Sequence, residues 1–156
     1  YVIALNTQSN IRNELINARA ACHPVRLLAN CNEHLKLPQP LITPFTMLPR
    51  KVKSLLSEKE LLDFGVKIGK NFKFFENYCE LPTSLVIAYA IAVANSGEAN
   101  QIYLAGFDGY NSEDPRKREM DEILKIYEKL DNKKPIKSIT PTRYQIPTQS
   151  IYGMYI

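Results

Sequence analysis

The residue types best suited to chemistry sit in a few short polar stretches: Asn6-Thr7-Gln8, Asn30-Cys31-Asn32, Thr83-Ser84, Gly106-Phe107-Asp108-Gly109-Tyr110 and Thr140-Pro141-Thr142. An Asn amide both donates and accepts hydrogen bonds, so Asn6, Asn30 and Asn32 suit ribose hydroxyls or a base edge. Thr83 and Ser84 offer hydroxyls and, where they open a helix, backbone N–H groups that favour a phosphate. GFDGY is the densest signal. Gly106 and Gly109 permit unusual backbone angles or close approach of a ligand. Asp108 between them can accept from a sugar hydroxyl or hold a hydrated cation, and Tyr110 can stack on a base or a sugar. Plainer roles stand beside these: turn or cap residues for the Asn and Asp side chains, simple capping for Thr83 and Ser84, packing for Tyr110.

The histidines are His23 and His34. His34 follows the Asn30–Asn32 stretch and is the better general-base candidate; His23, before Pro24, reads as a loop residue. Cys22, His23, Cys31 and His34 lack the paired C-x2-C knuckles of a structural zinc site. Cys22, Cys31 and Cys79, an odd set at irregular spacing, make no disulfide framework. Buried, reduced thiols in a cytoplasmic protein are the expectation, with a pocket position for Cys31 as the alternative. A Ser-His-Asp order, a G-x-S-x-G elbow and a G-x-x-x-x-G-K-[ST] loop are all missing from the sequence, which disfavours the hydrolases and nucleotide triphosphatases built on them.

These stretches need strands and helices to hold them. Tyr1–Leu5 is a short apolar run of strand formers. Ile11, Leu15, Ile16 and Ala18 then recur at helical spacing behind capping residues, with Pro24 ending that helix. Val25–Ala29 reads as a second strand that ends at Asn30. Pro38, Pro40 and Pro44 forbid a continuous helix, leaving room for a short strand at Leu41–Ile42. Lys51–Leu56 reads as a short helix and Phe64–Ile68 as a strand, with Asn71–Phe75 its hairpin partner or a loop. Leu81-Pro82-Thr83-Ser84 opens a helix that runs through Leu85–Ala94 and closes at Asn95-Ser96-Gly97. Apolar on every side, that helix must be covered on most of them. Gln101–Ala105 is a strand, Pro115 begins an amphipathic helix with Met120, Ile123, Leu124, Tyr127 and Leu130 on its apolar face, and Ile136–Ile139 is a last strand.

Alternating strands and helices predict an α/β fold: a Rossmann-like, doubly wound, mostly parallel sheet of about five strands with flanking helices. In such a sheet ligands gather at the carboxyl ends of the strands, and this rule places the Asn6, Asn30–Asn32, Gly106–Tyr110 and Thr140–Thr142 stretches along one edge.

The 156 residues suit one domain, and 45% hydrophobic with 23% charged residues suits a folded chain rather than a disordered one. The longest apolar run, Leu85–Ala94, is too short to span a bilayer. The net charge of +4 is spread thinly, with small groups at Arg50–Lys53 and Lys133–Lys137, so nucleic acid is not an expected partner. The tail from Arg143 carries Tyr144, Tyr152 and Tyr155 with few charges, which suits a contact surface.

The stretches LPTSLVIAYAIAVA, QIYLAGFDGY, NSEDPRKREMDEILKIY and ITPTRYQIP, together with YVIALNTQSNI and VRLLANCNEHL, resemble the C-terminal domain of bacterial aldolase-type proteins of surface-polysaccharide loci. Those proteins are similar to 4-hydroxy-2-oxovalerate aldolases and carry an HMG-CoA-lyase-like TIM barrel at the N-terminus. The resemblance spans essentially the whole chain, residues 1–156, as a single Rossmann-like domain. It implies an accessory nucleotide- or nucleotide-sugar-binding domain of a lyase, non-catalytic by itself. No cofactor is expected here; the divalent metal of the aldolase reaction belongs to the barrel. A weaker resemblance is to family 42 sialyltransferases, in which a Thr-Ser pair opens an Ala-rich helix ahead of a strand, as Thr83-Ser84 and Ile102–Asp108 do here. It implies a CMP-sugar held by Asn6 and by Asn30 or Asn32. Their Gly-rich G-x-G-P-S-like segment has no counterpart, and their catalytic His matches neither His23 nor His34. A third reading is an assembly module. The partners expected are a nucleotide or nucleotide-sugar, the aldolase barrel of the same polypeptide and, through the tyrosine-bearing tail, a second copy. Tyr1 opens inside an apolar run, and the expectation is a C-terminal piece that enters at the second strand of its sheet.

Overall fold

A computed structural model describes residues 1–155, the side chains of 154 and 155 excepted. The apolar run at the start pairs as a strand: β1 (Ile3–Leu5), β2 (Ala18–Ala20), β3 (Leu41–Thr43) and β4 (Leu61–Asp63) form an all-parallel sheet in the order β1-β2-β3-β4. Ile3 lies beside Ala18, Arg19 beside Leu41, and Leu41 beside Leu61. Helices flank this sheet, so the α/β class is the one expected. The strands follow one another in sequence order, and no reversal of order falls within this sheet.

The connection from β1 to β2 is not the helix that Ile11, Leu15, Ile16 and Ala18 suggest. Only a 3-10 turn forms, at Asn13–Leu15, and Ala18 belongs to β2. Ile11 and Leu15 stay exposed. A helix this short has little stability of its own. Pairing on both sides secures the strand instead: Ala18 N–H donates to Val2 O at 3.2 Å and Arg19 N–H to Pro40 O at 2.9 Å.

The expected strand at Val25–Ala29 is also a helix. Pro24 does not stop a helix but starts one, at the first position of α1 (Pro24–Ala29), where a missing N–H costs nothing. Only Leu27 is buried, and Val25 is 67% exposed, the pattern of one helix face rather than of a buried strand. Asn30 joins α1 to α2 (Cys31–Lys36). With α3 (Arg50–Leu55), these helices cover one face of the sheet, where Ala21, Leu27, Cys31, Leu41, Leu48, Val52 and Leu56 form a continuous core.

β4 runs on into β5 (Gly65–Ile68) with only Phe64 between them, so one stretch of chain serves two sheets. In the second sheet β5 pairs in parallel with β7 (Tyr78–Leu81), and β7 pairs antiparallel with β6 (Lys73–Phe74). Leu81 ends β7, so Pro82–Leu85 form a link and α4 begins only at Val86, running to Ser96. α4 packs against β1, β2, β6 and β7, and none of its residues is exposed. Two packed sheets supply the cover that its apolar circumference demands. Tyr89, fully buried, donates its hydroxyl to Phe64 O at 2.5 Å and meets the Phe64 ring edge-on at 5.7 Å.

Residues 1–96 form one compact unit, and residues from Gly97 onward form a second. In the second, β8 (Ile102–Leu104) and β9 (Ile136–Ser138) pair in parallel, with α5 (Pro115–Glu128) as the connection. Met120, Ile123 and Tyr127 are its buried face, as their spacing predicts. Asp114 caps α5, its side chain accepting from Arg116 N–H at 2.9 Å. Tyr144, expected on a contact surface, is a core residue, while Tyr152 is 85% exposed; the side chain of Tyr155 lies outside the described ones. Among the described residues no helix is long and apolar enough to cross a membrane.

Candidate functional site

The polar stretches do not share one sheet edge. Those of the first unit that stand at a strand end gather where β1 and β2 finish. Asn6, the first residue beyond β1, adopts φ 56°, a left-handed conformation that Asn tolerates better than most residues. Its N–H donates to Ala20 O at 2.9 Å. Two residues beyond Ala20, Cys22 donates its thiol to Ser84 O at 3.5 Å. Asn6, Cys22 and the Thr83–Ser84 link therefore flank the carboxyl end of β2, ahead of α4. The Asn6 side-chain amide has no hydrogen-bond partner within the described unit and is half-buried.

Asn30 and Asn32 do not join them. The expected strand that carried them is a helix, so Asn30 closes α1 and its carbonyl accepts from His34 N–H at 3.0 Å. Asn32 is an exposed residue of α2. α1 alone moves Asn30 roughly 9 Å along its axis from the strand end, at 1.5 Å per residue.

A residue that sequence reasoning passed over holds this edge together. Arg19, 2% exposed in β2, donates Nε–H to Gln39 Oε1 at 3.0 Å, Nη1 to Asn6 O at 3.2 Å and Thr7 O at 3.0 Å, and Nη2 to Asn13 Oδ1 at 2.9 Å. Gln39 in turn donates to Asn13 O at 2.8 Å. The irregular β1–β2 connection leaves carbonyls that no helix satisfies, and the guanidinium serves them instead. All its acceptors are neutral, and burial lowers its hold on the proton relative to an exposed arginine. The only signal in the sequence is a lone Arg between alanines, in ARA.

His34 lies in the same region, 2% exposed in α2, and its Nδ1 has no hydrogen-bond partner among the described residues. Burial first, then the charges of Lys59 and Arg19, push its pKa down to about 4. A neutral imidazole walled in beside two cations is poorly placed to touch a substrate. Burial likewise pushes the Cys22 and Cys79 thiols up to about 12, so they stay protonated at neutral pH. Cys31 is a core thiol whose Sγ donates to Leu55 O at 3.5 Å, not a pocket residue. Among the described residues no group of three His, Cys, Asp or Glu side chains could hold a metal ion.

In the second unit the two strand-end motifs meet. β8 and β9 finish side by side, Leu104 opposite Ser138. Beyond them, Gly106 N–H donates to Thr140 Oγ1 at 2.9 Å, Arg143 N–H to Asp108 O at 2.9 Å, and Tyr110 N–H to Tyr144 Oη at 3.3 Å. Gly106 and Gly109 adopt φ 68° and 95°. A Cβ on Gly109 would lie 3.1 Å from Arg143 Cβ and 3.2 Å from the Tyr144 ring, so glycine lets GFDGY close against TPTRY without pushing those neighbours away. Around Gly106 the space is open. The Asp108 carboxylate is exposed, while Tyr110 carries the Arg116 guanidinium on its ring at 4.4 Å. Gly106, Asp108 and Tyr110 thus stand together, with Thr140 and Arg143 as neighbours.

Compared with protein-family models, with curated proteins and with solved structures, the chain matches none of them.

Proposed function

We propose that the chain is an accessory nucleotide- or nucleotide-sugar-binding domain of an aldolase-type protein of surface-polysaccharide biosynthesis, acting in the cytoplasm and carrying no aldolase chemistry itself. The observation that carries this reading is the placing of hydrogen-bonding groups at the carboxyl ends of parallel strands, where α/β proteins bind such ligands. In the first unit these are the Asn6 amide and the Thr83–Ser84 link before α4. In the second they are the GFDGY backbone, the Asp108 carboxylate and Tyr110. The likeness of LPTSLVIAYAIAVA, GFDGY and ITPTRY to the domain that follows an aldolase barrel supplies the biological setting, with the barrel as partner. His34, buried and held neutral, supports binding over CMP-sugar transfer, which needs a base in reach of the acceptor.

The test is thermal unfolding against a panel of CMP, CDP, UDP and UDP-sugars. A true ligand at a hundred times its Kd stabilises by about 2.7 kcal/mol, a shift of several degrees. That shift should shrink in Asn6→Ala or Asp108→Ala. A panel without any shift removes the reading.

A further inference from the structure

The second unit carries a groove that neither the strand ends nor the proposed nucleotide use explains. It has a volume of about 250 Å3 and lies between one face of α5 and the segment 143–147 that follows β9. Its apolar lining includes Leu124, Ile136 and Ile146, all half-buried, beside Tyr127 and Pro147. Lys117, Lys125 and Arg143 bring cations to it, against the acids Asp121 and Glu128.

The pairing of these charges decides what the groove can hold. Lys117 and Asp121 neutralise each other at 2.6 Å, one helical turn apart. Glu128 is engaged by Lys133 at 3.5 Å. Among the described residues the Arg143 side chain is hydrogen-bonded only to the neutral Asn111 amide, and Lys125 has no ion pair. Lys125 and Arg143 are thus the lining cations that no carboxylate pairs with among the described residues.

The wall that carries Arg143 is tied down. Ser138 N–H donates to Pro147 O at 2.8 Å and Gln149 N–H to Ser138 O at 2.9 Å, which holds the segment along β9, while Arg143 N–H is fixed on Asp108 O. A site held in place before binding loses less entropy on binding.

We propose that this groove binds a small organic anion with an apolar body, its phosphate or carboxylate against Lys125 and Arg143 and its body on Leu124, Ile136 and Ile146. The size agrees: an apolar cavity of about 150 Å3 holds benzene, and 250 Å3 leaves room for an anionic substituent on such a ring. The proposal goes beyond the nucleotide reading and does not rest on it.

The experiment is an amide-resolved NMR titration of the full chain with phenyl phosphate, benzoate, inorganic phosphate and benzyl alcohol. Phenyl phosphate should give saturable shifts confined to amides near Leu124, Lys125, Ile136 and 143–147, with benzoate shifting the same set. Inorganic phosphate, lacking the body, and benzyl alcohol, lacking the charge, should each bind at least about tenfold more weakly. Arg143→Gln and Lys125→Gln should each weaken phenyl phosphate by about tenfold, the loss of one charge-assisted contact, while Lys51→Gln in the first unit leaves it unchanged. Absent or unsaturable shifts overturn the proposal, as does inorganic phosphate binding as well as phenyl phosphate, or affinity indifferent to both groove variants. If either variant fails to fold, the comparison of the four probes on the unaltered chain still decides.

Discussion

His34 offers the sharpest test of how the first unit is built. Its imidazole is buried beside Arg19 and Lys59, with Glu60 near Lys59 as the nearby acid. Protonating it would place a charge on a buried ring beside two existing positive groups, the buried Arg19 and the half-buried Lys59. The folded pKa, about 4, is depressed below the ordinary 6.5 of an unfolded histidine. A depressed pKa means that the unfolded chain binds the proton first. The stabilisation is therefore complete above pH 6.5 and is lost as pH falls through the window from 6.5 to 4. With those two values, linkage gives a loss of about 2 kcal/mol by pH 5, approaching about 3 kcal/mol near pH 4. Most carboxylates titrate below pH 5, so the upper part of the window isolates the histidine. The assay is urea unfolding at pH 8, 7, 6 and 5 for the unaltered chain and for His34→Gln. The variant's stability at pH 8 is immaterial; what counts is the change from pH 8 to pH 5, which should shrink by about 2 kcal/mol when the titrating ring is gone. Equal pH dependence in the two proteins would refute the reasoning.

Other substitutions probe single features. Gly109→Ala should destabilise by about 2 kcal/mol, because it combines a strained φ with crowding against Arg143 and Tyr144, whereas Gly106→Ala, strained but in open space, should cost only about 1 kcal/mol; thermal unfolding compares them, and equal costs would contradict the closeness of GFDGY to TPTRY. Arg19→Met should cost about 3 kcal/mol by leaving the Asn6, Thr7 and Gln39 acceptors without donors, with faster amide exchange at Asn6, whose N–H bonds Ala20 O. Tyr89→Phe should cost about 1–2 kcal/mol, the result of a buried Phe64 carbonyl losing its donor, and urea unfolding reads it directly.

How much of this was legible depended on the kind of signal. Where a segment's own composition demanded one outcome, the sequence sufficed by itself. Leu85–Ala94 is too apolar to be anything but a covered helix, Pro115 and the Met120–Tyr127 spacing specify an amphipathic one, and Tyr1–Leu5, Leu41–Ile42, Gln101–Ala105 and Ile136–Ile139 are β-prone runs bounded by breakers. GFDGY could likewise be chosen without coordinates, because glycines flanking an Asp at a strand end announce unusual backbone angles, and both glycines have them. Tertiary structure decided the rest. Whether Ile11–Ala20 was a helix or a turn leading to a strand rested on the neighbours available for pairing, since a single helical turn or two is not stable alone. Whether Val25–Ala29 was strand or helix rested on which of its sides met the core. That one choice removed Asn30 and Asn32 from the strand end. Arg19 was invisible for the same reason: a charged residue between two alanines looks like surface until the fold surrounds it with the carbonyls of an irregular connection. Local periodicity reports what a segment prefers, and burial and pairing, which depend on residues far away in the chain, decide whether the preference is met.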